Sequence, residues 1–442
     1  MRCKVETNEN NTAVTQYPGA ERTLGVYPQR QQGMFMQRIK IFGGRIEWQQ
    51  WRKAAEIVRR YSRRSTIHIT TRQDIELHDI SSPDIKNVQE ELAGVGLTTY
   101  GACGDCVRNI TVCAGCPFKC DSGGVFPAAQ FIYKHLADYP CDLPRKFKIS
   151  FSGCSLNCAK PWISDLGFVL QQNGLFTVIG AGSLGPRPAA GILLYKDLVS
   201  KEILPLCLAT LEFFKERGDR DNRNRARLRH LREKSGDEQF KSQLFERFDR
   251  LRSYKNWPDI LLSTGQRNIK LLWRLQLPNG NISSDEAIQL ADAAEPRGAQ
   301  LRINLEHGLE LYGPKIFTLP DNLASLENLP IIISCPGLSS CSKALTDTWA
   351  LADAIRKRIG HTRRPNLRIN ISGCPNSCAH SSAADIGLIG MRRNREGKSV
   401  ECFRLFVGGH NGADNCLAET GDVIFTEDVP EKIEQYLHKI CL

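Results

Sequence analysis

The alternation of apolar and polar positions divides the chain into strands and helices in regular succession. Arg38-Ile39-Lys40-Ile41 alternates as a half-buried strand does, and it runs into a Gly43-Gly44 turn. Trp48, Trp51, Ala55 and Val58 then recur at three or four residues, which gives a helix one apolar face. The pattern predicts a strand over Ile67 to Leu77 and a helix from about Asp84 to Gly96. Ile331-Ile332-Ile333 and Ile369-Asn370-Ile371 read as buried strands, each ending just before a pair of cysteines. From about Leu206 to Trp257 the chain is rich in charge and helix formers, so helices are expected there.

The same order of elements occurs twice. FSGCSLNCAKPWISDLGFV matches ISGCPNSCAHSSAADIGLIG at constant offset: 374 − 154, 378 − 158 and 387 − 167 all equal 220. Upstream, MQRIKIFGGRIEWQQWRKAAEIV matches LWRLQLPNGNISSDEAIQLADAA, and ITTRQDIELHDI matches RINLEHGLELYG. Strands alternate with helices in each copy, so the expected class is α+β, built as two pseudo-repeated units with the charged helices between them.

Length and composition set outer bounds. At 442 residues the chain suggests about three domains, and its 41% hydrophobic and 24% charged content is that of a globular protein. No apolar run approaches the ~20 residues that cross a bilayer, and MRCKVETNENNTAV carries no apolar signal region. A cytoplasmic protein is expected, without membrane attachment. In that compartment thiols stay reduced, so the 17 cysteines read as metal ligands rather than disulfides. The net charge of +11 raises nucleic-acid binding. Against it, the densest basic run, Lys215 to Arg232, is broken by Glu216, Asp219 and Asp221 and lacks interleaved aromatics.

The chemistry concentrates between Cys335 and Cys378. Five residues separate Cys335 from Cys341 and three separate Cys374 from Cys378, both pairs just past buried strands. Four thiolates suit a tetrahedral zinc or a cubane iron-sulfur cluster. A five-then-three pattern split by thirty-odd residues is atypical of zinc, whose knuckles are tighter.

Cys-x5-Cys followed by Cys-x3-Cys within SGCPNSC resembles the signature of the siroheme-dependent nitrite and sulfite reductases, and the likeness extends from about Tyr27 onward. The resemblance implies a 4Fe-4S cluster on Cys335, Cys341, Cys374 and Cys378, with Cys378 also bridging to siroheme. It implies two ferredoxin-like half-domains pairing into one domain, at 27–97 and 263–325. Two α/β siroheme-binding lobes complete the chain, at 98–262, including the charged helical linker, and at 326–442. Siroheme's eight carboxylates would then account for part of the positive charge.

By the same resemblance Arg38, Arg108, Lys146 and Lys148 serve substrate anion and protons, and Arg72 the siroheme carboxylates. In Lys146-Phe147-Lys148 the two cations alternate along a strand and so share a face. Lysine at both positions is typical of sulfite-reducing members, so six-electron reduction of sulfite to sulfide is the first expectation. Nitrite reduction to ammonia by the same centre is the alternative, and a non-catalytic iron-sulfur electron carrier is the rival class. Arg220 and Arg223, in the arginine-rich segment through Arg225, Arg227 and Arg229, resemble a siroheme-carboxylate region. Ferredoxin or a reductase subunit is expected as donor.

Gly180-Ala181-Gly182-Ser183-Leu184-Gly185 formally fits a dinucleotide-binding turn, but Pro186 and Pro188 exclude the helix that would hold the pyrophosphate. It pairs instead with Gly408-Gly409, two turns suited to close approach of a large planar cofactor. The first unit also keeps Cys113, Cys116, Cys120, Cys154 and Cys158, enough for a possible second 4Fe-4S cluster.

Overall fold

The computed structural model describes residues 22–113, 125–153, 155–260, 262, 269–360, 367–412 and 416–440. Four sheets carry the fold. Two belong to the half-domains, and each borrows its last strand from the other half. Met34–Ile39, Ile75–Ser81 and Thr66–Ile69 are extended by Asn281–Ser283 of the second unit, in register Asn281 to His68. Lys270–Gln276, Gly308–Gly313 and Gln300–Ile303 are extended by Arg45–Ile46 of the first, in register Arg45 to Arg302. The exchange makes the two half-domains one folding body, and their apolar side chains form one core.

Local sequence explains the exchange. The Phe42–Gly44 and Pro278–Gly280 turns lie 236 residues apart, and Gly43 and Asn279 have φ of 54° and 56°. A Cβ on Gly44 would lie 2.1 Å from the carbonyl oxygen of Ile303, and one on Gly280 would lie 2.8 Å from that of Ile69. Only glycine lets each borrowed strand approach its host. The helices that follow, Trp48–Tyr61 and Ser284–Ala294, start on capping boxes, Glu47 with Gln50 and Ser283 with Glu286. They pack together, with the fully buried Trp51 indole donating to the Ala287 carbonyl oxygen at 2.9 Å.

The expected strand over Ile67 to Leu77 is a hairpin. Thr70 Oγ1 accepts from the amides of Arg72 (3.2 Å) and Asp74 (3.0 Å), a side-chain turn that breaks the strand, and Gln73 takes a φ of 62°. In the second unit Asn304 Oδ1 does the same for Glu306 and Gly308, with His307 at φ 59°.

Each lobe holds a five-stranded sheet, with its first three strands parallel and its last two antiparallel. The first comprises Thr111–Val112, Ile149–Ser152, Leu166–Leu170, Phe176–Gly180 and Ile192–Leu198. The second comprises Ile331–Ser334, Arg368–Ser372, Ile386–Arg395, Lys398–Val407 and Glu419–Phe425. The charged middle segment forms helices Ile203–Arg217, Leu228–Ser235 and Asp237–Tyr254, which pack onto the first lobe's core. Among the described residues no helix is long and apolar enough to cross a membrane.

Candidate active site

A cavity of about 360 Å³ opens where the half-domain sheet meets the loops beyond the parallel strands of both lobes. Cys335, Cys341, Cys374 and Cys378 all line it. Cys335 follows Ile331–Ser334, Cys341 follows a short turn at Gly337–Ser339, and Cys374 and Cys378 follow Arg368–Ser372. Parallel pairing of Ile331–Ser334 with Arg368–Ser372 therefore brings the two cysteine loops to one end of the sheet. The Gly373 amide donates to Cys335 Sγ at 3.2 Å, and Thr71 Oγ1 donates to the Cys378 carbonyl oxygen at 3.2 Å. Burial pushes the Cys335 thiol up to about 12 and Cys374 up to about 11. Such buried thiols ionise readily only when a cation is present to share the charge.

Nine cations stand among the other lining residues. Six arginines (Arg22, Arg38, Arg72, Arg108, Arg145, Arg223) and three lysines (Lys146, Lys148, Lys343) face two carboxylates, Asp74 and Glu76. Arg38 belongs to a cross-strand row with Glu76, His68 and Asn281. Glu76 pairs with Arg38 and accepts from His78 Nε2 at 3.0 Å. Arg108 is tied to the carbonyls of Ala102 (2.7 Å) and Gly104 (2.7 and 3.2 Å). Arg72 sits in the hairpin turn and bonds the Asn109 carbonyl. Burial, with neighbouring cations adding to it, lowers both Arg72 and Arg108 to about 10.

Lys146 and Lys148 both reach the cavity, while Phe147 between them is fully buried in the first lobe's core. Burial, then the charge of Arg227 and Arg108, brings Lys146 down to about 7, and burial with Arg72 lowers Lys148 well below the usual lysine range. An anion entering here would draw protons onto these amines, so binding and proton uptake are joined. Asp165 sets the position of Lys148 by accepting from its amide at 2.8 Å while paired with Arg227 at 2.7 Å. Asp385 holds Arg368 in the same way 220 residues on, accepting from its amide at 3.0 Å and its Nε at 2.8 Å.

Arg223 lines the cavity rim and pairs with Asp105 at 2.7 Å. Arg220 is exposed, bonds the carbonyls of Asp142 and Lys215, and does not line the cavity. Gly408 and Gly409 lie outside the lining too, where their amides bond the carbonyls of Asp385 and Ala384. The Gly180–Gly185 turn makes the equivalent bonds, from Ala181 to Asp165 and Gly182 to Ser164, and no helix follows it.

Cys116, Cys120 and Cys154 lie outside the described residues. Cys113 Sγ accepts from the Gly153 amide at 3.1 Å, the counterpart of the Cys335 contact. Cysteines are not all apart from disulfides, as the composition had suggested: Cys106 and Cys141 are bonded to each other, with Cα atoms 4.2 Å apart. That bridge fastens the loop bearing Arg108 to the one bearing Lys146 and Lys148.

The histidines and both carboxylates of the cavity were not among the residues expected from sequence. His68, His78 and His307 line it, with His68 and His307 rings 5.5 Å apart. His380 meets Lys160, its partner at offset 220, with Nδ1 and Nζ 3.4 Å apart. The signal lay in Asp74, Glu76 and His78, polar residues at every second position between the buried Ile75 and Leu77. That alternation aims ionisable groups at one face of a covered strand.

Four convergent thiols, a cation-lined cavity between two repeated lobes, and two buried lysines facing it fit a 4Fe-4S cluster and an acidic tetrapyrrole, and define a siroheme and iron-sulfur oxidoreductase acting on a small anion. The family model described as "Nitrite and sulphite reductase 4Fe-4S domain" matches residues 103–251 and 327–441, and the "Nitrite/Sulfite reductase ferredoxin-like half domain" matches 27–95. The chain belongs to this nitrite and sulfite reductase family. It is 31% identical to the ferredoxin–nitrite reductase of Synechococcus elongatus, over 92% of this chain and 86% of that protein. It is 28% identical to the assimilatory ferredoxin-dependent nitrite reductase of Haloferax mediterranei, over 89% and 77%. The solved structure of Mycobacterium tuberculosis NirA shares the fold, with a TM-score of 0.77 and 23% identity, covering 93% of this chain and 85% of that one.

Proposed function

We propose that the protein reduces nitrite to ammonia with electrons from ferredoxin. The observation that carries this reading over sulfite is the likeness, across most of both chains, to proteins named ferredoxin–nitrite reductases. In this reading Cys335, Cys341, Cys374 and Cys378 would hold the 4Fe-4S cluster, and Cys378, whose loop is tied to the Arg72 turn through Thr71, would also serve siroheme. When bound, the two cofactors supply the electrons. Arg38, Arg108, Lys146 and Lys148 hold the anion and neutralise charge as it develops. Arg72 and Arg223 would meet siroheme carboxylates; Arg220, Gly408 and Gly409 lie outside this cavity's lining. A cytoplasmic location belongs to the same reading. The test is steady-state nitrite consumption by purified holoprotein with reduced ferredoxin, with ammonia measured as product.

Sulfite is a second reading that one observation favours: both Lys146 and Lys148 line the cavity, two cations for a dianion. Parallel assays with sulfite and nitrite decide between them.

A further inference from the structure

Asp74 is at odds with a cavity built to hold anions. Its side chain is buried, it lines the cavity, and its Oδ1 has no hydrogen-bond partner among the described residues. The hairpin turn does not need the carboxylate, since the turn is closed by the Asp74 amide on Thr70 Oγ1 and by the Thr70 amide on the Asp74 carbonyl oxygen. A buried, unpartnered carboxylate is costly, and a permanent negative charge here would repel nitrite.

Two more proton-carrying groups lie within electrostatic reach of Asp74. Lys40 is buried, continuing the strand that carries Arg38, and its Nζ lies 5.5 Å from the ring centre of Tyr133. The Gly101 loop closes over it: a Cβ on Gly101 would be 3.4 Å from Lys40 Nζ. Tyr133 is half-buried on helix Val125–Leu136, so it connects this interior to the surface. Burial raises the Asp74 carboxyl to about 6 against the opposing pull of Arg38, Arg72, Lys40 and Arg108. Burial lowers Lys40 to about 8, and it raises Tyr133, with Asp74 adding to that rise. Asp74 and Lys40 thus change protonation state more easily near neutrality than an ordinary aspartate or lysine does, while Tyr133 stays a neutral phenol.

We propose that Asp74 is a further catalytic residue, the acid that delivers protons to the oxyanion in the cavity, and that Lys40 restores its proton. The inference rests on the reductase reading above. In each protonation the Asp74 O–H bond breaks and that hydrogen bonds to the substrate: four of the eight protons go to the two oxygens as they leave as water, and four to the nitrogen. The carboxylate then takes a proton from the Lys40 ammonium, and solvent on the Tyr133 side reprotonates the amine. Electrons arrive separately from the donor. Over the whole reaction nitrite, eight protons and six electrons give ammonium and two waters.

The experiment compares wild type, Asp74→Asn and Lys40→Met as holoproteins with measured siroheme and iron content. Asp74→Asn keeps the side chain's shape and removes the proton. With cofactors retained, its nitrite turnover should fall roughly 10²-fold, and the loss of rate expected of wild type as pH rises through about 6 should be absent. In Lys40→Met turnover should fall roughly tenfold and that limb should move to higher pH, since Asp74 loses a neighbouring cation. Infrared difference spectra supply a readout apart from activity: a protonated-carboxyl band titrating near 6 in wild type, absent in Asp74→Asn and shifted in Lys40→Met. Turnover within twofold of wild type with an unchanged pH profile in Asp74→Asn overturns the proposal, as does a carboxyl band that survives the substitution. Should Asp74→Asn fail to take up cofactor, an unmoved band and pH limb in Lys40→Met overturn it instead. If wild type does not reduce nitrite at all, the functional reading fails, while the infrared titration still decides whether Asp74 exchanges protons.

Discussion

The pseudo-repeat supplies an internal experiment on buried charge. Asp165 and Asp385 hold corresponding strands in corresponding ways, but the Asp165 side chain is 0% exposed against 34% for Asp385. Removing Asp165 strips the Lys148 amide of its acceptor and leaves the Arg227 guanidinium, 10% exposed, without its partner at 2.7 and 3.3 Å. An abandoned buried charge costs about 3–5 kcal/mol. At Asp385 the carboxylate itself meets water, and Arg368, though 8% exposed, keeps Asn411 Oδ1 as an acceptor at 2.8 Å, so the loss there should be about 1–2 kcal/mol. Asp165→Ala should therefore shift the urea midpoint well beyond Asp385→Ala. Amide hydrogen exchange at Lys148 should accelerate roughly 10²-fold or more, because about 3 kcal/mol is two decades in an opening equilibrium. A double variant, Asp165→Ala with Arg227→Met, should recover more than half of the loss, since it removes the stranded charge. Equal costs at the two aspartates, or a double variant no better than the single, would refute the argument that burial decides the energy of this pair.

Three further outcomes are expected. Cys378→Ser should lose the siroheme absorption bands together with acid-labile sulfide, because a hydroxyl is a poor substitute for a thiolate shared between iron centres; full siroheme content with unchanged turnover contradicts the bridging role. Lys148→Asn should lower sulfite turnover about tenfold more than nitrite turnover, since a dianion loses more from a missing cation, and kinetics with both anions give the ratio. Gly44→Ala, at φ 72° with its new Cβ 2.1 Å from the Ile303 carbonyl oxygen, should destabilise by more than about 2 kcal/mol and exceed Gly280→Ala, where the gap is 2.8 Å. Thermal unfolding midpoints check that order, and a negligible change at Gly44 would contradict the strand exchange.

The repeat was legible because covalent spacing survives in sequence: the offset of 220 that aligns the cysteine motifs also relates Lys160 to His380 and Asp165 to Asp385 in space. The borrowed strands were not legible. Arg45–Ile46 and Asn281–Ser283 are two and three residues long and owe their strand state to a host in the other unit, which no local pattern records. The hairpin at Thr70–Asp74 was read as one strand because its apolar residues continue the alternation, while the break is made by a hydroxyl bonding backbone amides. Among the site residues, the cations announced themselves through motif likeness. Glu76 and His68 did not, because their meaning lies in the cross-strand row with Arg38. Arg220 and Arg223 are three residues apart on one basic segment, yet only Arg223 turns to the cavity. Charge density identified the segment and could not say which member faces inward.

The central claim is that four thiolates and the cavity they share hold a siroheme coupled to one 4Fe-4S cluster that reduces nitrite. Stoichiometric turnover of the purified holoprotein under reduced ferredoxin tests it most directly, with nitrite consumed, ammonia formed and electrons delivered counted in the same sample. One ammonia per nitrite with six electrons used is expected, from protein that shows siroheme Soret and near-red bands. Protein carrying iron and sulfide but no siroheme bands, and passing electrons without consuming nitrite or sulfite, would contradict it.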